Sequence, residues 1–268
     1  MDGTLFPGVA LVTGAAGTGM GAAVAKAFAT AGCNKIAITD LNEQLLWDTR
    51  NAIESAYHAV KVLAIVGDVS SEAFVDSFIE RVVNEFGRVD YCVNCAGIMG
   101  NNQSSADTST EDFDRINNVN YRGCWFSSRA QIRAMLKQEP LPSHEVGRTG
   151  DRGSIVNIAS QLGIVGRPSA PVYCASKAAV MAMTRADAID YSEKNIRVNC
   201  ICPGIIETPM TIGSKEKIEL LKPAINIAPM KRMGTVNEIA DCALFLTSTK
   251  ASFVQGHAMV VDGGYIIN

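Results

Sequence analysis

The sequence lacks the features that are typical of nucleic-acid-binding and membrane proteins. Its 24 Lys and Arg residues face 27 Asp and Glu residues, so the formal net charge is −3 and no basic excess favours binding to a phosphate backbone. No stretch reaches the roughly 18 uninterrupted apolar residues of a membrane span. The amino-terminal MDGTLFPGVALVTG has no basic segment before its apolar run, which argues against a secretory signal. The sequence therefore predicts a cytosolic protein that binds neither nucleic acid nor membranes.

Regularly spaced metal-binding or disulfide-forming residues are also missing. The eight cysteines have irregular spacing, and the three histidines are scattered. Cys92 and Cys95 form a CxxC, but no second CxxC follows, and the pair flanks the end of an expected strand. A reducing compartment would keep such cysteines as thiols. We therefore predict no structural disulfide and no metal site.

The sequence does contain enough apolar residues for a large folded core. Hydrophobic residues make up 47% of the 268 positions and charged residues 19%, unlike a disordered chain. Seven apolar runs alternate with stretches in which apolar residues recur about every 3.6 positions. The runs are Val9–Thr13, Ile36–Thr39, Val62–Val69, Tyr91–Gly97, Ser154–Ser160, Arg197–Gly204 and Ala258–Gly264.

This alternation predicts an α/β fold. Nearly all positions of the runs are apolar, as in parallel strands that are covered by helices on both faces. We expect one domain over residues 1–268, a doubly wound seven-stranded parallel sheet. Residues 136–152 are rich in Pro, Gly and charge and are expected to form an inserted surface loop. Residues 208–233 are apolar and contain prolines, which favours a lid over a ligand.

A glycine-rich loop follows the first expected strand. Its residues include Gly14, Gly17, Gly19, Met20 and Gly21. Glycines at such a turn let the backbone approach a pyrophosphate, whose charge is favoured by the following helix N-terminus. Asp40 ends the second strand about 20 residues later, where an acid typically binds the adenosine ribose hydroxyls of a dinucleotide. The alternative role for Asp40 is to cap the next helix.

Asp40 also predicts which dinucleotide is bound. Its carboxylate would repel the 2′-phosphate of NADP, and neither Thr18 nor Leu41 supplies a cation for that phosphate. We therefore expect NAD as the cofactor and not NADP.

An ordered set of motifs carries a family resemblance. The set is Thr13-Gly14 with the glycine loop, Asp68 in GDV, Asn94-Cys95-Ala96-Gly97, Asn120 in NVN, Ser160, Tyr173-x-x-x-Lys177 and Pro203-Gly204. In this order the chain resembles the short-chain dehydrogenase/reductase family, in its compact NAD(P)-binding Rossmann branch. The match covers essentially the whole chain. The cysteine-containing motifs and the loop at 136–152 are similar to those of fungal secondary-metabolism members.

The residue types in this set also indicate proton transfer. Tyr173 and Lys177 are four positions apart on an expected helix, so their side chains share a face. A nearby ammonium stabilises a phenolate, which would make the tyrosine an acid and base. Ser160 ends the fifth expected strand, where its hydroxyl can bond the reacting oxygen. The resemblance implies that Lys177 also holds the nicotinamide ribose and that Asn120 keeps a water in line with the lysine.

The resemblance implies further cofactor contacts. These are Leu41 next to Asp40, Asp68 and Val69 near the adenine, Asn94, Ala96 and Gly97 beside the middle of the cofactor, and Pro203, Gly204, Ile206 and Thr208 along the nicotinamide. One feature departs from the family pattern, because the glycine loop is one residue longer than TGxxxGxG. Whether Gly17 or Gly19 meets the phosphates is therefore left open.

Positions beside this set predict the substrate. The expected contacts are Met99, Gln161, Leu162 and Met210. A mostly apolar wall suits a fairly hydrophobic small molecule better than a sugar acid or polyphosphate. We expect NAD-dependent interconversion of a secondary alcohol and a ketone, with Tyr173 as general acid/base. A redox-silent isomerase or cyclase and an NAD-sensing regulator are the alternatives. The resemblance implies a homotetramer or homodimer.

Overall fold

Seven parallel strands form the centre of the molecule. The computed structural model describes residues 5–143, 146–213 and 215–267. Within these residues one sheet has the strand order β3-β2-β1-β4-β5-β6-β7. The strands are β1 Ala10–Thr13, β2 Lys35–Asp40, β3 Lys61–Val66, β4 Tyr91–Asn94, β5 Gly153–Ile158, β6 Ile196–Pro203 and β7 Ala258–Val261. The predicted doubly wound, parallel α/β architecture is confirmed.

Several strands end earlier than the apolar runs predict. The third was expected to reach Val69 and ends at Val66, and the fourth ends at Asn94 instead of Gly97. The β1–β4 ladder stops at the Thr13–Asn94 pair because the next residue of β1, Gly14, turns away with φ +66°. The extra apolar residues form loops over the carboxyl edge of the sheet, which is where open α/β sheets bind ligands.

Helices cover both faces of the sheet. They are α1 Met20–Thr30, α2 Glu43–Ala56, α3 Glu72–Phe86, α4 Thr110–Asn117, α5 Cys124–Met135, α6 Pro171–Tyr191, α7 Pro209–Ile212, α8 Lys215–Ile227 and α9 Val236–Thr247. A π-helical turn, Asn118–Gly123, joins α4 to α5, and a 3₁₀ turn, Gln161–Gly163, follows β5. In the described parts of the chain, none of these helices is both long and apolar enough to cross a membrane.

Adjacent strand residues supply two separate cores. Val12 faces the side on which α1, α2 and α9 pack, together with Phe28 of α1. Leu11, its neighbour in β1, faces the side of α3 and α5, together with Phe78 of α3. Successive side chains of a strand point to opposite faces, so a continuous apolar run supplies both layers.

The segment 136–152 connects α5 to β5 at the amino edge of the sheet. The Gln138 side chain pairs with both backbone groups of Val89, at 3.1 and 2.7 Å, and donates to the Arg152 carbonyl at 2.7 Å. Arg148 donates to the Thr249 and Lys250 carbonyls at 3.1 and 3.2 Å. These bonds fasten the segment to the edge opposite the carboxyl ends of the strands.

Most of the described residues of the segment 208–233 lie in the helices α7 and α8. Pro209 occupies the first turn of α7, where no backbone N–H is required. Thr208 precedes it, and the Thr211 hydroxyl accepts from the Thr208 N–H at 3.0 Å. Pro209 is therefore compatible with α7, whereas Pro223 lies inside α8, where it has no backbone N–H to donate. The expected role as a lid stays a prediction.

Candidate active site

A cleft lies over the carboxyl ends of β5 and β6. Three of the four side chains predicted to be catalytic line it: Ser160, Tyr173 and Lys177. The four predicted substrate contacts Met99, Gln161, Leu162 and Met210 line the same cleft. The cleft thus brings together residues from the loop after β4, the end of β5, α6 and α7.

Lys177 is fixed between α6 and the end of β5. Its Nζ donates to the Ile158 carbonyl oxygen at 2.8 Å and lies 5.9 Å from the centroid of the Tyr173 ring. The side chain is 4% exposed, so the ammonium is held close to the phenol with little water around it. The Ser160 hydroxyl accepts from the Leu162 N–H at 3.1 Å, which leaves its hydrogen to donate into the cleft.

Asn120 lies in the π-helical turn between α4 and α5. Its buried amide pairs with both backbone groups of Ile98, accepting from the N–H at 2.7 Å and donating to the carbonyl at 2.9 Å. A Cβ on Gly97 would lie 3.3 Å from both Asn120 Oδ1 and Lys177 Nζ. Asn120 therefore fastens the loop after β4 beside the lysine. Single π-helical turns are frequent at functional sites.

Cys95 also lines this cleft, which the sequence did not predict. Burial raises the pKa of its thiol to about 12, and burial also raises the pKa of Cys92 well above its usual value. Protonated thiols are poor nucleophiles and poor metal ligands. All eight cysteines are free thiols, and among the described residues no three His, Cys, Asp or Glu side chains form a metal-binding group.

Two glycines, Gly14 in the loop after β1 and Gly21 in the first turn of α1, allow close backbone packing. A Cβ on Gly14 would lie 2.7 Å from the Ala96 backbone, and one on Gly21 would lie 2.2 Å from the Gly14 carbonyl oxygen. Gly17 has φ +73° and donates its N–H to the Thr49 hydroxyl at 3.1 Å. The longer loop is therefore bound to α2 at Gly17, which turns this glycine's N–H away from the start of α1.

Gly19 is the loop glycine that faces open space. It is the N-cap residue of α1 and provides no side-chain cap, and nothing lies within 4 Å of the position of a Cβ on it. No acidic residue occupies the first turn of α1. The free N–H groups and the dipole of such a helix start fit a pyrophosphate. The residues present thus fit the phosphates of a dinucleotide, and the open surroundings favour Gly19 over Gly17 as the glycine that would face them.

Asp40 lies beside this loop, at the end of β2. Its carboxylate accepts from the Ala16 and Asn42 N–H groups, each at 3.0 Å. Asn42 caps α2, because its side chain accepts from the Leu45 N–H at 3.1 Å. Helix capping is therefore done by Asn42, and the Asp40 carboxylate is left at the strand end where ribose hydroxyls would bind.

Alanine substitutions at Gly21 and Gly19 can be compared as a matched pair of variants. We expect Gly21→Ala to lower the free energy of unfolding by about 1–3 kcal/mol, since its methyl would collide with backbone. Gly19→Ala, with open space around the methyl, should cost the apoprotein less stability than Gly21→Ala but weaken NADH binding about 10-fold. Urea unfolding and NADH fluorescence titration measure the two effects. Equal loss of stability in both variants would contradict this assignment.

The Asn94 side chain belongs to a buried polar network. Its Nδ2 donates to Asn157 Oδ1 at 2.9 Å, and its Oδ1 accepts from Gln131 Nε2 at 2.8 Å. Asn157 in turn donates to the Thr184 hydroxyl at 3.0 Å. The network joins β4, β5, α5 and α6. Because the side-chain amide of Asn94 is engaged in this network, a cofactor contact by this residue would involve its backbone.

The other predicted cofactor residues divide into two groups. Those that line the cleft are Met20, Gly97, Pro203, Gly204, Ile206 and Thr208. Those that lie outside its lining, at the neighbouring strand ends, are Leu41, Asp68, Val69 and Ala96. The cleft is also lined by Arg167 and Tyr265, which belong to no motif in the sequence.

Comparison with known proteins identifies the family. A family model described as enoyl-(acyl carrier protein) reductase matches residues 14–266. The chain belongs to the short-chain dehydrogenase/reductase family. This dehydrogenase/reductase is 40% identical to the short-chain dehydrogenase fogB of Aspergillus ruber, over 96% of each chain. It is 38% identical to the 2-(R)-hydroxypropyl-CoM dehydrogenase of Xanthobacter autotrophicus, over 96% of this chain and 98% of that protein.

Structural similarity agrees with this membership. The crystal structure of levodione reductase matches with a TM-score of 0.88 at 32% identity, over 97% of this chain and 98% of that one. The family resemblance predicted from the sequence, including the similarity to fungal members, is confirmed. The dehydrogenase/reductase is therefore an oxidoreductase of a family that uses nicotinamide cofactors and acts on alcohols and ketones.

Proposed function

We propose that the protein is an NAD-dependent oxidoreductase that interconverts a secondary alcohol and a ketone on a largely apolar small molecule. The observation that carries this proposal is one cleft lined by Ser160, Tyr173 and Lys177. At its side lies Met20, the first residue of α1, whose uncapped N-terminus fits a pyrophosphate. A proton-transfer group and a dinucleotide cradle thus meet at one edge of the sheet.

In the proposed reaction, each polar residue of the cleft has a separate role in proton transfer. The Tyr173 hydroxyl gives a proton to the substrate oxygen during reduction and takes it back during oxidation. Ser160 donates a hydrogen bond to the same oxygen, and the ammonium of Lys177 stabilises negative charge on the phenol oxygen. When bound, the nicotinamide supplies or accepts the hydride. Asn120 holds the loop beside Lys177 in place.

Asp40 supports NAD over NADP as the cofactor. A carboxylate at the end of β2 binds two ribose hydroxyls but repels a 2′-phosphate. The next side chain, Leu41, is 70% exposed and apolar, so it offers no cation to that phosphate.

The lining of the cleft supports an apolar substrate that carries a polar group near the reacting carbon. Met99, Leu162, Met210 and Leu221 supply an apolar wall. Gln161 is 4% exposed, and its Oε1 accepts no hydrogen bond from any residue that the structure describes. A buried amide of this kind orients a ligand group at little cost in solvation.

Turnover with a panel of cyclic, aromatic and steroidal ketones tests the proposal. NADH absorbance should fall in step with ketone consumption, and alcohols with NAD should give the reverse change. Product formation without any change in NADH absorbance would overturn the redox assignment in favour of the isomerase or cyclase alternative. Turnover of short sugars alone would overturn the apolar substrate class.

We also propose that the protein acts as a homotetramer or homodimer in the cytosol. Large apolar side chains are exposed on α4, α5 and α6, among them Phe113 at 50%, Trp125 at 40% and Ile189 at 78%. Aromatic side chains are enriched at protein interfaces relative to the rest of the surface. Eight free thiols favour a reducing compartment. Light scattering that shows a stable monomer would exclude the oligomer.

A further inference from the structure

Arg167 is a charged cleft residue that the mechanism above does not use. It lies between the 3₁₀ turn after β5 and the start of α6. Among the residues that the structure describes, the lining of the cleft contains two cationic side chains, Arg167 and Lys177, and no Asp or Glu. Lys177 is engaged with Ile158 and with the Tyr173 ring. Arg167 is therefore the positive charge that is left to face a substrate.

The guanidinium of Arg167 is oriented by a neutral partner. Its Nη2 donates to Asn102 Oδ1 in the loop after β4. Its Nε is buried and donates to no acceptor among the residues that the structure describes. Within the same residues, no carboxylate forms an ion pair with Arg167. An amide oxygen fixes the direction of the guanidinium without neutralising its charge.

The carboxylate of Asp112, which lines a pocket together with Arg167, is already bound by other side chains. A second, smaller pocket is lined by Tyr173, Arg167, Asn102 and Asp112. Asp112 accepts from Arg115 Nη2 at 2.8 Å and also from the Asn101 side chain. Arg167 and Tyr173 line both this pocket and the cleft, so a substrate group that passes the phenol would reach the guanidinium.

Withdrawing a cation from water without an anion costs free energy, and a ligand carboxylate would offset that cost. The planar guanidinium can bind both carboxylate oxygens through parallel N–H bonds, a geometry that a neutral ester cannot match. The remaining wall of the cleft is mostly apolar. Together these features describe a ligand with an apolar body and one carboxylate.

We propose that Arg167 binds a carboxylate of the substrate, and that the substrate is accordingly an apolar hydroxy acid or oxo acid. This inference rests on the proposed function and specifies its substrate class. In oxidation, the alcohol C–H bond breaks and its hydride reduces the nicotinamide, while the hydroxyl proton passes to Tyr173. In the reverse direction both are returned to the ketone. The carboxylate stays intact and holds the reacting carbon beside Tyr173.

The test compares benzoylpropionate with its methyl ester, which differ in the carboxylate but share the aryl ketone. Binding to the NADH complex is measured by calorimetry, and turnover by NADH absorbance. We expect the native enzyme to bind the acid about 10-fold more tightly than the ester. In Arg167→Gln this preference should fall to about 1, and Arg167→Lys should restore part of it. Arg81→Gln, which removes an exposed arginine of α3, should keep the full preference.

The ratio of the affinities for the acid and the ester separates a role of Arg167 in substrate recognition from a role in folding. A purely structural role of Arg167 would weaken the binding of both compounds equally and leave the ratio unchanged, which would overturn the proposal. Equal binding of acid and ester by the native enzyme would also overturn it. If the proposed redox function is wrong, the result differs. The compounds then bind to the NADH complex, but no ketone or oxo acid is reduced.

Discussion

Tyr173→Phe should lower kcat by about 10³-fold while NADH binding is retained. The substitution removes only the phenolic oxygen, which is the group that transfers the proton in the proposed reaction. The ring remains to pack near Lys177, whose Nζ lies 5.9 Å from its centroid. Steady-state kinetics at saturating NADH and an NADH fluorescence titration measure the two quantities on the same protein.

Tyr191→Phe is the matched control for this variant. It removes a phenol from the last residue of the same helix, α6, far along the chain from the cleft. We expect kcat to stay close to that of the native enzyme. If Tyr173→Phe kept native turnover while it still bound NADH, Tyr173 would not be the proton-transfer group.

The double variant Asp40→Ser, Leu41→Arg should shift the ratio of NADPH to NADH affinity by about 10²-fold or more. The first change removes a carboxylate that repels the 2′-phosphate. The second places a cation at a position that is 70% exposed and therefore has room for an arginine. Fluorescence titrations with both dinucleotides give the ratio.

Asp40→Asn removes the charge at nearly constant side-chain size. Each carboxylate oxygen accepts one backbone N–H, from Ala16 and from Asn42, so an asparagine oxygen keeps one of these bonds and the other is lost. This variant should bind NADPH better than the native protein does and NADH less well. Asp48→Ser, on the exposed side of α2, should change neither affinity. Native protein that binds NADPH as tightly as NADH would refute the assignment of NAD.

Much of the architecture could be predicted from local patterns. The apolar runs indicate seven strands because strands buried on both faces need apolar side chains at nearly every position. Their ends could not be predicted in the same way. Val66 and Asn94 end β3 and β4 because the neighbouring strands stop pairing there, and the apolar residues that follow differ little from those inside the sheet.

The candidate site likewise combines features that the sequence predicts with features that only the tertiary structure shows. Tyr173 and Lys177 share a helix face because four residues make about one turn, and this relation is visible in the sequence. The open surroundings of Gly19 are not visible there, because they depend on which segments approach each glycine. The direction of the Asn94 amide likewise depends on partners from β5 and α5.

By itself the sequence determined the fold class, the family and the pairing of a phenol with an ammonium, since each follows from short-range spacing or from the order of motifs. The tertiary structure decided which glycine faces the open start of α1, where the Asn94 side chain points, and that Arg167 lines the cleft. These features depend on contacts between segments that are distant in the chain, and such contacts form only when the sheet and its loops are assembled.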